Sequence, residues 1–322
     1  MNRRETVIAK LDKFVQEKRI SYNKVATMLS IGSSTLSEVR KGTYKGQMDE
    51  YLNKIEDLIE RHQAKMKRIT FSVDTEVKRK VFFAINQIAK YVASNAANEI
   101  LSSAKIGYII GRAGIGKTHA LQEYKKLYGA QTLFITAENG DNATVVMKKI
   151  AKELKMGEKK QLYALKEEIK SRLRFTETIL IVDESEHLTA KVIDNIRSIA
   201  DQTGIGLILA GTEKLRQKVT GYKAEYEYLY SRAAIWMLLS ELKMADVDLI
   251  FRKFIGEDID LYKEDDIVKM TTYLHKECKG SARILENLLG MVSSLVNENY
   301  EETAGVITMR YLKASSQMIN VV

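Results

Sequence analysis

The sequence predicts an α/β fold, a parallel sheet flanked by helices, with all-helical segments before and after it. The apolar run of residues 106–110 leads directly into a glycine-rich loop and then into a helical pattern. Further short apolar runs alternate with amphipathic stretches, and this alternation is typical of parallel sheets. Near both ends of the chain the apolar residues recur only at helical spacing, which indicates bundled helices. The further strand candidates are residues 132–138, 179–182, 204–212 and 233–239.

The composition predicts a soluble globular protein of two or three domains. The chain has 322 residues, 45% of them hydrophobic and 29% charged, and is too long for one small core. It has no apolar run of about 18 residues, so we expect no membrane span, and its N-terminus lacks the apolar stretch of a secretory signal. The one cysteine, Cys278, excludes an intramolecular disulfide and favours a reducing cytoplasm. The four histidines are scattered and suggest no metal site.

Positive charge is concentrated in the first part of the chain. The net charge is +9, and residues 1–70 hold 15 Lys and Arg against 9 Asp and Glu. This asymmetry favours a surface that faces nucleic acid, because phosphates attract basic side chains. A solvated helix face carries a modest excess equally well, so charge alone leaves both interpretations open.

The first 62 residues predict a small helix-turn-helix domain. After a helix over residues 5–17, Ser21 caps a second helix, and a third over residues 33–42 begins with capping hydroxyls and stops at its glycine. Two short helices joined by a glycine-containing turn form this motif, whose second helix enters the DNA major groove by its N-terminal end. A plain three-helix bundle or a protein-binding version fits the same pattern. The residues expected to contact DNA are Ser33, Ser34, Thr35, Ser37, Arg40 and Lys41.

The most specific motif is the loop after the first strand. Residues 111–118, GRAGIGKT, match G-x-x-x-x-G-K-[ST] between a strand and a helix, the context that identifies the phosphate loop of P-loop NTPases. Backbone N–H groups and the helix N-terminus would surround the phosphates of a nucleotide. Lys117 would neutralise the β- and γ-phosphates, and the Thr118 hydroxyl would bind Mg²⁺. The expected cofactor-binding residues of this loop are Gly111, Gly114, Ile115, Gly116, Lys117, Thr118 and His119.

Two later strands end in residues suited to the same reaction. Residues 179–182 bring Asp183 and Glu184 to the carboxyl end of a strand, where ligands bind in open parallel sheets. Asp183 is suited to hold Mg²⁺ through water, and Glu184 to polarise the attacking water. Thr212 ends the next strand, where its hydroxyl would position the water or the γ-phosphate, or would cap the following helix.

Arg232 precedes the apolar run of residues 233–239. A surface arginine with a snorkelling stem explains it, as does an arginine that reaches a phosphate. The phosphate loop, "VDE", the strand-tip threonine, "YSR" and a later "GSARILENLL" resemble AAA+ ATPases in their order. In that family one arginine enters the neighbouring subunit's ATP site, and a second, in a helical lid, contacts the γ-phosphate of its own subunit. The resemblance implies these roles for Arg232 and Arg283, although Arg283 also fits an exposed helix charge.

Within AAA+ ATPases, the domain order and the short "GTEKL" after the fourth strand resemble the Mu B family of transposition ATPases, with IstB and TnsC as wider relatives. The resemblance covers nearly the whole chain. It implies ATP and Mg²⁺ as cofactors, and as partners double-stranded DNA, a transposase and further copies of the chain, with no membrane. Arg112-Ala113 and Glu213 stand where proline is frequent, which changes loop stiffness but not the phosphate-binding groups. The predicted domains are 1–62 (helix-turn-helix), 63–78 (linker), 79–245 (ATPase) and 246–322 (helical lid).

A second region expected to contact DNA is the segment of residues 137–155, at the predicted upper edge of the sheet. It carries Lys148, Lys149 and Lys152. The resemblance implies that equivalent elements line a central channel in Mu B-like filaments, where lysines would bind phosphates without sequence preference. A solvated helix face explains the same lysines.

The sequence therefore predicts an ATP-dependent, largely sequence-independent DNA-binding AAA+ ATPase in the cytoplasm of a bacterial or phage-infected host cell. By resemblance, it forms helical filaments on DNA, delivers target DNA to a transposase and stimulates that partner. Two alternatives share most of the motifs. One is a helicase loader or replication initiator, and the other is a nucleotide-regulated helix-turn-helix transcription factor.

Overall fold

The computed structural model describes residues 3–18, 20–63, 72–99, 101, 104–157, 161–221 and 227–319. The chain falls into two compact units, Met1–Ile69 with Leu289–Val322, and Thr70–Leu288. Residues 64–71, half of the predicted linker, lie outside the described residues, and the last residues of that linker already belong to a helix. The predicted division at residues 62, 78 and 245 stays a prediction.

The first unit begins with four helices around one apolar core. Val7, Leu11, Leu36 and Ile55 are almost fully buried there and come from the first, third and fourth of these helices. Helices this short gain most of their stability by burying such an apolar face. The four are α1 (Arg3–Lys18), α2 (Tyr22–Met28), α3 (Ser33–Lys41) and α4 (Met48–Gln63).

The ends of the short helices confirm one predicted cap and correct another. Ser21 Oγ accepts the N–H of Lys24 at 3.2 Å, as expected for the N-cap of α2. The prediction that hydroxyls cap α3 is wrong, because extended backbone at Gly32 (ψ 146°) starts the helix one residue earlier and leaves the hydroxyls inside its first turn. Gly42 ends α3 with φ 78°, a left-handed conformation that favours glycine. These helices lie where the sequence predicts them, and their DNA-binding role stays a prediction.

The second unit contains a five-stranded sheet with helices on both faces. Its strand order is β2-β3-β4-β1-β5, and every neighbouring pair is parallel, which confirms the predicted α/β class. The elements are α5 (Glu76–Ala97), β1 (Ile106–Ile110), α6 (Lys117–Leu127), β2 (Thr132–Thr136), α7 (Ala143–Glu153), α8 (Leu162–Leu173), β3 (Ile179–Asp183), α9 (Ala190–Thr203), β4 (Gly206–Gly211), α10 (Glu213–Thr220), α11 (Glu227–Tyr230) and β5 (Ala233–Leu238).

The central strands are apolar throughout because helices cover both faces of the sheet. Every residue of β1, β3 and β4 is buried. Met147, Ile150 and Ile196 of helices α7 and α9 belong to one core, and Ile88 and Leu121 of helices α5 and α6 belong to the other. The parallel register brings the carboxyl ends of β1, β3 and β4 side by side at one edge of the sheet.

The C-terminal part is all-helical, as predicted. Asp246 is only 3% exposed and accepts the N–H of Glu76 at 2.9 Å and that of Lys243 at 3.4 Å, so it ties the start of α5 to the segment that follows the sheet. Among the described residues, no helix combines the length and the apolar character needed to cross a membrane. The helices are α12 (Met244–Ile255), α13 (Glu264–Cys278), α14 (Ala282–Glu298), α15 (Tyr300–Thr303) and α16 (Met309–Ile319), and the division between the two units falls within α14.

Candidate nucleotide-binding site

The phosphate loop connects the end of β1 to the start of α6. Gly114 and Gly116 have φ values of 81° and 100°, which side chains other than glycine rarely adopt, so the loop can turn its backbone tightly. Lys117 begins α6, is 8% exposed, and donates from Nζ to the carbonyls of Gly111 at 2.7 Å and Arg112 at 2.9 Å. Burial lowers the pKa of Lys117. A buried ammonium at a helix N-terminus is well suited to a polyanionic ligand.

The next residue of the loop contacts the end of β3. Thr118 Oγ1 donates to Asp183 Oδ2 at 2.7 Å, and Asp183 Oδ1 accepts the N–H of Glu184 at 3.0 Å. Asp183 is 1% exposed, and burial raises the pKa of its carboxyl. A hydroxyl and a carboxylate in direct contact are hard oxygen donors of the kind that Mg²⁺ prefers, so these two residues fit the predicted metal.

Glu184 adopts an unusual backbone conformation immediately after β3. Its φ is 56°, in the left-handed region that is uncommon for glutamate. Its side chain is about half exposed, and its Oε2 lies 3.6 Å from Nε2 of His187. Backbone strain of this kind concentrates at functional sites, and here it presents a carboxylate to solvent beside Asp183. The position agrees with the predicted role in polarising a water molecule.

Thr212 follows β4, the strand next to β3. It precedes α10, but its hydroxyl makes no cap hydrogen bond, so the capping alternative for this residue is wrong. Thr212 Oγ1 is buried and makes no hydrogen bond with any residue that the structure describes. The N–H of Thr212 instead donates to Glu186 Oε1 at 3.1 Å. The sequence motifs do not single out Glu186. The only signal for this residue in the sequence is its position three residues after Asp183.

The start of α14 lies against the phosphate loop. The carbonyl of Gly114 accepts the N–H of Arg283 at 3.0 Å and the Ser281 hydroxyl at 3.4 Å. A Cβ at Gly114 would lie 2.8 Å from Ser281 Oγ, so only glycine allows this approach. Beside this contact, Arg112 of the loop forms an ion pair with Glu241. The side chain of Arg283 is exposed, and its backbone N–H contacts the loop. Its predicted role at the γ-phosphate requires such a position.

Two other predicted loop residues contribute differently. Ile115 is 2% exposed, and a Cβ at Gly111 would lie 2.5 Å from its Cδ1. Its side chain is therefore buried and packs against the backbone at the start of the loop. His119 is largely exposed on α6, with Nε2 3.9 Å from Glu123 Oε2. Their backbones belong to the loop and helix, but neither side chain lies with the Thr118–Asp183 pair.

Arg232 lies at the other end of the sheet. Its carbonyl accepts the N–H of Ile106, the first residue of β1, whereas the phosphate loop follows the last residue of that strand. A five-residue strand spans about 16 Å, so Arg232 and the phosphate loop of one chain occupy opposite edges. Arg232 Nε lies 3.7 Å from Asp201 Oδ1. The phosphate loop and the residues that follow β3 and β4 thus lie at one end of the strands, and Arg232 lies at the other.

The residues predicted to contact DNA on α3 differ in accessibility. Ser33, Ser34 and Lys41 are exposed, and Thr35 and Ser37 are half-buried. Arg40 lies over the ring of Tyr22, with Cζ 3.5 Å from the ring centroid, and its Nη2 contacts Asp12 Oδ1 at 3.2 Å. Its guanidinium therefore stabilises the small helical core.

The three lysines of α7 also separate. Lys148 and Lys152 are exposed. Lys149 Nζ donates to the carbonyl of Thr136 at 3.0 Å, to Glu138 Oε1 at 3.2 Å and to Asp141 Oδ2 at 2.7 Å. Lys149 thus fixes the loop after β2. Within the part of the chain that the structure describes, Lys148 and Lys152 show no such internal role.

The fold and the site geometry agree with comparisons to known proteins. A family model described as "AAA domain" matches residues 99–219, which include the phosphate loop and the Asp183 strand. This chain therefore contains an AAA domain. It is 25% identical over 254 residues to the Mu-like prophage FluMu DNA transposition protein B of Haemophilus influenzae, covering 76% of this chain and 84% of the relative. It is 23% identical over 302 residues to the ATP-dependent target DNA activator B of Escherichia phage Mu, covering 91% of each.

A solved structure has the same fold as this chain. The ADP form of the ORC2 protein of Aeropyrum pernix has a TM-score of 0.54 and 13% sequence identity, over 80% of this chain and 72% of that chain. At this identity the likeness concerns the fold alone. Together the comparisons confirm the predicted AAA+ fold, the ATPase class and the resemblance to the Mu B family.

Proposed function

We propose that this AAA ATPase assembles on double-stranded DNA in an ATP-dependent manner and presents that DNA to a transposase. The observation that carries the proposal is the separation of Arg232 from the phosphate loop of its own chain, at opposite edges of one sheet. An arginine in that place can serve an ATP site only on a neighbouring copy. The names of the relatives, a transposition protein B and a target DNA activator B, support the same biological task.

Within one subunit, the loop and Lys117 bind the phosphates of ATP. Thr118 and Asp183 would hold Mg²⁺, which would supply positive charge to neutralise the phosphates. Glu184 accepts a proton from the attacking water, and Thr212 and Arg283 contact the γ-phosphate. The γ-phosphoryl group passes to water, and ADP and phosphate are released.

Between subunits, Arg232 reaches the γ-phosphate of the neighbouring copy and completes its site. Bound ATP therefore joins subunits, and its hydrolysis separates them. A contact that links the Arg232 edge of one copy to the phosphate-loop edge of the next is head-to-tail, and such contacts build rings or helical filaments. We propose a helical filament, in which assembly is the output of ATP binding and hydrolysis limits its lifetime.

Electron microscopy of the full chain with duplex DNA tests this proposal. We expect helical coats with ATP or a slowly hydrolysed analogue, and bare DNA with ADP. Lys117→Ala is the matched control, since it removes the phosphate-binding ammonium and is expected to form no coats. A single short footprint on one preferred sequence would favour the transcription-factor alternative. Stimulation of helicase loading without stimulation of strand transfer would favour the loader alternative.

The separation of the α7 lysines gives a quantitative prediction for DNA binding. Lys148→Ala and Lys152→Ala are each expected to reduce the slope of log K against log salt by about 0.9, because each removes one phosphate contact. The measurement is a salt titration of binding to duplexes of unrelated sequence. Lys149→Ala is the control, expected to keep the slope because its ammonium is bound within the chain. Equal slopes for all variants would place DNA elsewhere on the protein.

A further inference from the structure

The carboxylate of Glu186 links the two strands that flank the candidate ATP site. Glu186 lies in the single turn of 3-10 helix Ser185–His187 that follows β3, and its Oε1 accepts the N–H of Thr212 at the end of β4. We propose that Glu186 is a positioning residue, which holds Thr212 so that its hydroxyl meets the γ-phosphate. This inference rests on the function proposed above and adds a residue to its ATP site.

The close approach of Glu186 to β4 depends on a glycine. A Cβ added at Gly211 would overlap with Glu186 Oε2 and would lie 3.0 Å from Leu215 Cδ2. Any larger residue at this position would push the carboxylate away from Thr212. The end of β4 therefore has the shape that the Glu186 hydrogen bond requires.

The turn that carries Glu186 is held from a second side. Lys218 of α10 donates from Nζ to the backbone carbonyls of Glu186 at 2.5 Å and of Leu188 at 2.6 Å. Lys218 is half-buried, and this burial lowers its pKa. Helix α10 begins after Thr212, so both Glu186 contacts connect the turn after β3 to the same segment of chain.

Two polar atoms at this junction are available for a ligand. Glu186 Oε2 and Thr212 Oγ1 are buried, and neither makes a hydrogen bond with the residues that the structure describes. Buried polar atoms are normally paired, and exceptions mark places where another group completes the hydrogen bonds. The hydroxyl of Thr212 does not cap α10 and stays available at the carboxyl end of β4, the strand next to β3.

A double-mutant cycle tests this role. The variants Glu186→Ala, Thr212→Val and their combination are compared in the full chain for kcat, KM and binding of a fluorescent ADP analogue. We expect Glu186→Ala and Thr212→Val each to lower kcat about tenfold and to change KM less than about threefold. In the Thr212→Val background, Glu186→Ala is expected to lower kcat by less than about twofold further, because residues that act as a unit are not additive. Multiplicative losses would overturn the proposal.

Glu186→Gln separates the hydrogen bond from the charge. The amide keeps an acceptor for the Thr212 N–H, so we expect kcat within about threefold of the wild type. A Gln variant as slow as Glu186→Ala, with intact ADP binding, would show that charge and not positioning matters. This variant also covers the case in which Glu186→Ala fails to fold.

The two proposals fail in different ways. An unchanged kcat in Thr212→Val would remove Thr212 from the proposed ATP site, and the positioning role would fall with it. A slow Thr212→Val beside a fully active Glu186→Ala would overturn the Glu186 role alone and leave the ATP site standing.

Discussion

Replacing Glu184 with glutamine is expected to lower kcat for ATP hydrolysis by about two orders of magnitude or more, the range typical of a lost general base. The reason is that an amide cannot take the proton of the attacking water, while the hydrogen bonds of Asp183 with Thr118 and with the Glu184 backbone stay in place. Phosphate release under saturating ATP measures the effect. Nucleotide affinity is expected to change little, and filaments on DNA are expected to last longer because the ATP that joins subunits persists.

Glu213→Gln is the matched control for this variant. Glu213 also follows a strand of the sheet and its side chain is 52% exposed, against 47% for Glu184, but it forms an ion pair with Arg216 at 2.9 Å. We expect the control to hydrolyse ATP at the wild-type rate. If Glu184→Gln turns over ATP as fast as this control, Glu184 takes no part in the reaction.

Arg232→Ala is expected to keep ATP binding by the isolated subunit and to lower kcat about a thousandfold, as when an arginine finger is lost. The physical reason is the distance between Arg232 and the phosphate loop of its own chain. The substitution therefore removes the positive charge that would stabilise the transition state at the neighbour's ATP site. The loss is therefore expected to be repairable in trans. In a mixture of the two variants, Arg232→Ala subunits keep an intact ATP site and Lys117→Ala subunits keep an intact arginine. A contact between them can therefore form one complete site. Part of the wild-type rate should return, because a head-to-tail contact with this pairing keeps both the ATP site and the arginine.

Arg216→Ala is the control for that experiment, because Arg216 is an arginine of the same unit that pairs with Glu213 on its own helix. It is expected to be active alone and to leave mixtures unchanged. Mixtures of Arg232→Ala and Lys117→Ala that assemble on DNA but hydrolyse no ATP would refute the shared site.

Local patterns in the sequence were enough to predict the strands and to select candidate site residues that follow them. The apolar run into GRAGIGKT and the run before Asp183 each lie within a few residues, and parallel pairing then brings Thr118 and Asp183 together. The start of α3 was wrong because glycine and the following hydroxyls compete for the N-cap, and backbone geometry decides between them.

The features that sequence patterns missed depend on contacts between distant parts of the chain. Glu186 and Thr212 are 26 positions apart, and their hydrogen bond exists only because β3 and β4 are neighbours. In the sequence, Lys149 cannot be distinguished from a solvated lysine. Its contact with the Thr136 carbonyl exists only because the end of β2 lies beside α7. Periodicity and motif spacing carry no information about either contact.

The surroundings of Asp201 determine how easily Arg232 can change partners. Asp201 Oδ1 also accepts the N–H of Ala104 at 2.6 Å, and its other oxygen pairs with the largely buried Arg197. A carboxylate that loses its only partner inside a protein is left strongly destabilised. Asp201 keeps two partners when Arg232 departs, so the exchange leaves no stranded charge behind. The proposed exchange of Arg232 with a neighbouring subunit would therefore be repeatable, and the proposed filament would grow and shrink at its ends without unfolding any part of the chain.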